Sequence, residues 1–133
     1  MMQNNFHKLP NQNSNLDLPL IHKLIAAYKL WQEFLPHFPK TSRYSLGQKI
    51  DILFLEVTEF IFSACYLKGE QKLSRIESAS IKLDLLKFFL KISWEIQALD
   101  NKKYATLSEK LDEIGRMIGG WSKQIKEKFP SNT

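Results

Sequence analysis

The sequence predicts an all-α protein, an antiparallel up-down-up-down four-helix bundle. Three observations point there. Apolar residues recur at spacings of three and four in four separate stretches. Proline, glycine and an Asp-Asn pair break the chain between those stretches. The stretches are similar in length and their connections short, which brings consecutive helices together antiparallel.

The first helix is expected from Asp17 to Phe34, with Pro19 tolerated in its opening turn. Its apolar stripe is Leu20, Leu24, Ala27, Trp31 and Leu35. Pro36 and Pro39 end it, because proline restricts the residue before it and cannot donate to the helical ladder.

The second helix is expected to restart at Ser45, where Ser45 and Gln48 have the spacing of a capping box. It should run to about Lys68, with Gly69 as a left-handed stop. One stripe is Ile50, Leu53, Phe54, Val57, Ile61 and Ala64; a second, on another face, is Ile52, Leu55, Phe62 and Tyr66.

The third helix spans Gln71 to Leu99 and also has two stripes. Ile76, Ala79, Leu83, Leu86 and Leu90 form one; Ile81, Leu85, Phe89, Ile92 and Ile96 form the other. The fourth opens with a capping box at Thr106 and Glu109 and has a single seam, Leu107, Leu111, Ile114, Ile118, Trp121 and Ile125.

A bundle helix needs one apolar face somewhat over about 100° wide. The second and third helices have more, and the excess predicts a subunit interface. The plain alternative is a bundle whose central pair leaves some phenylalanine exposed.

The 133 residues suit one domain: a polar tail over residues 1–16, a bundle over 17–129 and a short tail over 130–133. Nineteen Lys and Arg against fourteen Asp and Glu give a net charge of +5, a modest bias toward phosphate-rich partners. The lone Cys65 allows no intrachain disulfide and, set in an apolar run, reads as a core thiol suited to a reducing cytoplasm. The N-terminal "MMQNNFHKLPNQNSN" has no signal- or transit-peptide pattern. No apolar run reaches membrane-spanning length, since Asp51, Glu56 and Glu59 interrupt the greasiest segment.

Catalytic readings find little support. His7, His22 and His37 have no histidine partner at helical spacing, and no Glu-x-x-His motif of a di-iron bundle occurs. Glu56 and Glu59 read as a solvated or interface-edge pair. Gly115, Gly119 and Gly120 lie inside the fourth helix, where each costs about 1 kcal/mol against alanine. They are expected to admit a close neighbour, such as the ring of Trp94 or Trp121, and not a cofactor. No enzyme activity, metal or cofactor is expected.

The basic residues are more informative. Lys40 and Arg43 sit in the break between the first two helices; Lys87 and Lys91 project from one face of the third. Arg116, Lys123, Lys126 and Lys128 make the last half of the fourth helix basic, which also suits its dipole. For Lys87 and Lys91 the ordinary reading is a solvated stripe salt-bridged to Asp84 and Glu95. Tyr44 could stack on an unpaired base.

Three passages occur in a telling order: "LPHFPKTSRYSLGQKID" (35–51), "LLKFFLKISWEI" (85–96) and "LDEIGRMIGGWSKQIK" (111–126). Together they resemble the Avd family, the accessory variability determinants of diversity-generating retroelements. That family is similar in turn to four-helix proteins encoded in intervening sequences of bacterial 23S rRNA genes. The resemblance covers nearly everything after Asp17, and its most specific parts are Phe-Pro-Lys and Gly-Arg-x-x-Gly-Gly-Trp.

The resemblance implies a homopentameric barrel of four-helix protomers, a reverse transcriptase partner, binding of template RNA and cDNA, and no catalysis by the subunit itself. It places Lys87 and Lys91 at the family's basic positions on the third helix, Lys40 at its basic loop position and Arg116 after Ile-Gly. Many relatives have arginine where this chain has Lys87 and Lys91; lysine keeps the charge and loses the bidentate fork. Arg43 and Lys123 complete the expected nucleic-acid surface. The rivals are a 23S rRNA intervening-sequence bundle with no reverse transcriptase partner and a helical protein–protein adaptor.

Overall fold

The computed structural model describes residues 17–128, so the expected tails over 1–16 and 130–133, and His7, lie outside the described residues. Four long helices account for most of the chain: α1 (Asp17–Phe34), α2 (Gln48–Ala64), α3 (Gly69–Glu95) and α4 (Asn101–Lys128). Each packs on the helix before and after it in sequence, and α4 returns to pack on α1.

Side-chain pairings give the directions. Glu56–Lys82 and Ser63–Arg75 run α2 antiparallel to α3. Lys87–Asp112 and Glu77–Lys126 do the same for α3 and α4. Lys23 meets Glu113, while Phe34 meets Lys103, so α1 is antiparallel to α4. The up-down-up-down four-helix bundle expected from the periodicity is what forms.

The core is built from the stripes read in the sequence. Leu20, Leu24, Ala27 and Trp31 of α1, all six residues of the first α2 stripe, all five of the first α3 stripe and all six of the α4 seam are buried. Cys65 is buried with them. The second stripes behave differently: Ile52, Leu55 and Phe62 on α2 with Tyr66 just past its end, and Ile81 and Leu85 on α3 with Ile96 just past its end, are exposed, joined by Phe88. Phe89 and Ile92 are half-buried.

The expected restart at Ser45 is corrected. After a 3-10 turn at Leu35–His37, the chain turns helical again at Lys40, one residue past Pro39, and passes through a π-helical turn at Arg43–Gly47 into α2. Pro39 opens this run: its carbonyl accepts from the amides of Ser42 and Arg43 at 3.0 and 2.9 Å. Ser45 and Gln48 make no capping box. The wide π turn sets Gly47 against the linker, where a Cβ would stand 2.9 Å from Leu35 Cδ1. The tertiary contact at Gly47 thus overrides the local cap.

The other correction is at α4, which opens at Asn101 and not at Thr106. Asp100 caps it, its Oδ1 accepting the Lys103 amide at 2.8 Å, while the Thr106 hydroxyl donates back to Lys102. Two ends are also shorter than expected, because helix stops come early. α2 ends at Ala64, and Lys72 donates to the Ala64 and Leu67 carbonyls at 2.8 and 3.4 Å. α3 ends at Glu95 in a Schellman turn, with Ala98 N–H on Ser93 O (2.8 Å) and Gln97 N–H on Trp94 O (3.0 Å). Gln97 takes the left-handed position at φ 66°, and Gly69 is left-handed as expected at φ 62°, although it leads into α3.

Candidate nucleic-acid interface

The break between α1 and α2 is a packed plug. Phe38 is buried edge-on to Trp31, with ring centroids 5.4 Å apart. Arg43 Nη2 donates to the carbonyls of Pro36 (2.9 Å) and Phe38 (3.0 Å), so the guanidinium ties the two prolines' turn together. Its Nε is buried without a partner among the described residues. Lys40, by contrast, is exposed and unpaired among the described residues, and Tyr44 is 76% exposed.

Below the plug, Asp51 ties α1 to α2. Its Oδ1 accepts from Tyr28 OH (2.9 Å), Trp31 Nε1 (3.1 Å) and Gln32 Nε2 (2.8 Å). Burial, reinforced by the hydrogen bond to this carboxylate, pushes the Tyr28 hydroxyl above its ordinary pKa.

The two flanks of α3 differ in chemistry. Lys82 reaches Glu56 on α2, and Leu85, Phe89, Ile92 and Ile96 follow Lys82 down that flank at helical spacing. Lys87 reaches the other way, to Asp112 Oδ1 on α4 at 3.0 Å. Lys91, one turn on, is exposed with no carboxylate partner among the described residues. The apolar excess and the basic pair therefore occupy opposite flanks.

The expected partners of this pair, Asp84 and Glu95, are not the ones used. A carboxylate 25 positions away in sequence serves Lys87, a contact that no helical spacing could reveal. Gly115 makes room for it: a Cβ there would stand 3.4 Å from both Lys87 Nζ and Leu83 Cδ2. The close neighbour expected for this glycine is thus a lysine and a leucine, not a tryptophan ring. A Cβ at Gly119 or Gly120 would meet nothing within 4 Å, so the expectation of a close neighbour fails for both in the protomer.

Arg116 follows Gly115 on the outer side of α4, exposed and unpaired among the described residues, and Lys123 lies two turns farther along. Lys87 and Lys91 thus lie on the flank of α3 next to α4, while Arg116 stands on the outer face of α4, near Glu113. Lys40 and Arg43 close the end of the bundle shared with the α3–α4 turn, while Lys123 lies toward the opposite end. Glu56 is paired to Lys82 at 3.2 Å and Glu59 is exposed. Among the described residues no group of three or more His, Cys, Asp or Glu could hold a metal, and no helix is long and apolar enough to cross a membrane.

A family profile described as bAvd-like matches residues 21–125, from the second turn of α1 to the end of the α4 seam. The chain belongs to the bAvd-like family. No curated protein and no solved structure matches it. The matched span contains α2 and α3 whole, most of α1 and α4, and the positions Lys40, Arg43, Lys87, Lys91, Arg116 and Lys123. For a bAvd-like chain the expected role is that of an accessory protein of the diversity-generating-retroelement type, which fits a site made of surface cations on a rigid scaffold.

Proposed function

We propose that this bAvd-like protein is a non-catalytic accessory subunit that holds template RNA, and the cDNA copied from it, beside the reverse transcriptase of a diversity-generating retroelement. Copies assemble through the apolar flank of α2 and α3 into a ring, five-membered as the resemblance implies. The observation that carries the reading is the split character of α3. Apolar side chains left exposed on one flank can join copies, while Lys87 and Lys91 on the other are repeated once per copy around the assembly.

A band of such charges binds a phosphate backbone by releasing counterions, with little regard to sequence and strong dependence on salt. Lys91 is available directly. Lys87 must leave or share Asp112; an exposed pair of this kind contributes only about 0.2–1 kcal/mol.

The test is RNA binding across a salt series, with light scattering for assembly size. Wild type is expected to run as a multimer and to bind structured RNA with affinity falling as salt rises. Lys87→Glu with Lys91→Glu should abolish that binding without changing helix content. Asp112→Asn, which frees Lys87, should tighten it by roughly twofold to fivefold. A monomer that ignores RNA at low salt would refute the proposal.

A further inference from the structure

Beyond the lysine pair, the same flank of α3 ends in an aromatic platform. Trp94 lies three residues past Lys91 and seven past Lys87, on the side of α3 that faces α4. Its ring stacks on Tyr104 with centroids 5.0 Å apart and an interplanar angle of 10°. Its indole N–H donates to Asn101 Oδ1 at 2.6 Å. Both contacts fix the ring's orientation, and Asn101 and Tyr104 belong to the first turn of α4, so the platform rests on two helices.

Even so, Trp94 remains 37% exposed, whereas Trp31 and Trp121 are fully buried. One face is stacked on Tyr104 and the polar edge is bonded to Asn101, so the opposite face is the one left to take a further ring. Hairpin closure accounts for the stack and the hydrogen bond; it gives no reason for a large indole to stay open to water beside Lys91, which has no carboxylate partner among the described residues. The rise from Lys91 to Trp94 is about 4.5 Å along the helix, so a base on the ring and a phosphate at the ammonium fall within one nucleotide's reach.

We infer that Trp94 is a stacking site for an unpaired nucleobase of single-stranded RNA, with Lys91 and Lys87 holding the adjoining phosphates. This rests on the RNA-binding reading and adds to it a preference for single-stranded segments. Stacking on an aromatic ring tolerates any base, because every base has a π-face, so no sequence readout is implied. Tyr104 behind the indole keeps the platform rigid and lowers the ordering cost of stacking.

The experiment uses the full chain and an unstructured RNA of about ten nucleotides, with a duplex RNA as comparator. Because the other two tryptophans are buried, fluorescence accessible to acrylamide reports Trp94. Saturating single-stranded RNA should protect that fluorescence and duplex RNA should not. Trp94→Leu should weaken single-strand binding by roughly five- to a hundredfold while leaving duplex binding near wild type. Trp94→Phe should restore most of it.

The wild-type quenching measurement needs no variant, so loss of fold in Trp94→Leu cannot mask the answer. If single-stranded RNA binds and leaves the quenching unchanged, stacking is overturned while the RNA-binding reading stands. If acrylamide fails to reach Trp94 in the RNA-free assembly, a neighbouring protein surface covers the ring and stacking is again overturned. If no RNA binds at low salt, the parent reading fails and this inference fails with it.

Discussion

Replacing Asp51 tests the account of how α1 is held to α2. One carboxylate oxygen accepts three hydrogen bonds, but the donors differ in what they lose without it. Gln32 is exposed and turns to water at little cost. Trp31 is fully buried, so Asp51→Ala leaves its N–H unsatisfied, a penalty of about 1–3 kcal/mol. Tyr28 is half-buried and loses a hydrogen bond to a charged acceptor, worth about 1 kcal/mol more after partial rehydration.

Together these put Asp51→Ala at about 3 kcal/mol of destabilisation. Asp51→Asn keeps an acceptor in the same place and gives up only the charge, so it should cost about 1 kcal/mol. Urea midpoints at fixed protein concentration measure both, with an unchanged slope required for the comparison. Tyrosine absorbance adds an independent check. In Asp51→Asn the Tyr28 hydroxyl should titrate lower than in wild type yet still above its ordinary value, because burial, the larger cause, remains. Equal midpoints for wild type and Asp51→Ala, or a Tyr28 titration indifferent to the carboxylate, would show that this tie contributes nothing.

Three further outcomes follow from other parts of the bundle. Lys72→Met keeps the buried stem but removes the ammonium that caps the α2 carbonyls and lies 5.0 Å from the Trp121 ring; urea midpoints should show a loss of about 2 kcal/mol. Gln97→Gly relieves a left-handed side-chain residue, and after glycine's greater chain entropy is subtracted should raise stability by about 0.5 kcal/mol, read from thermal melts. Thermal midpoints against pH should fall at both extremes. Asp100 is held below its ordinary pKa by the Lys103 amide and ammonium, and Glu113 by Lys23, so their stabilisation is present above about pH 4.5 and lost as pH falls through the lowered values. Tyr28 is raised, so its contribution is full below about pH 10 and lost as pH climbs through its folded value.

The resemblance to Avd proteins and the match to the bAvd-like family rest on the same stretch of chain, and the candidate site is partly legible there. Lys87, Lys91 and Arg116 can be found from the sequence because helical spacing places charges on faces. Arg43 is recognisable as a cation, but its engagement by the Pro36 and Phe38 carbonyls depends on how the linker folds back. Asp112 and Gly115 are invisible as neighbours of Lys87, since their meeting needs α3 and α4 to be packed first. Trp94 falls off the core stripe, which hints at a separate role; its stack on Tyr104 cannot be read from the pattern.

Periodicity alone determined the four helices, the buried stripes and the surplus apolar flank, because burial selects residues by their angle around a helix axis. Tertiary packing decided where helices start, which carboxylate answers which lysine, and how the linker closes. Helix starts depend on whichever group reaches an amide first: at α2 the packing of Gly47 on Leu35 displaced the Ser45–Gln48 box, and at α4 Asp100 capped the helix well before Thr106. Local patterns fix angles about an axis, and only the packed molecule brings residues distant in sequence within a few ångströms of each other.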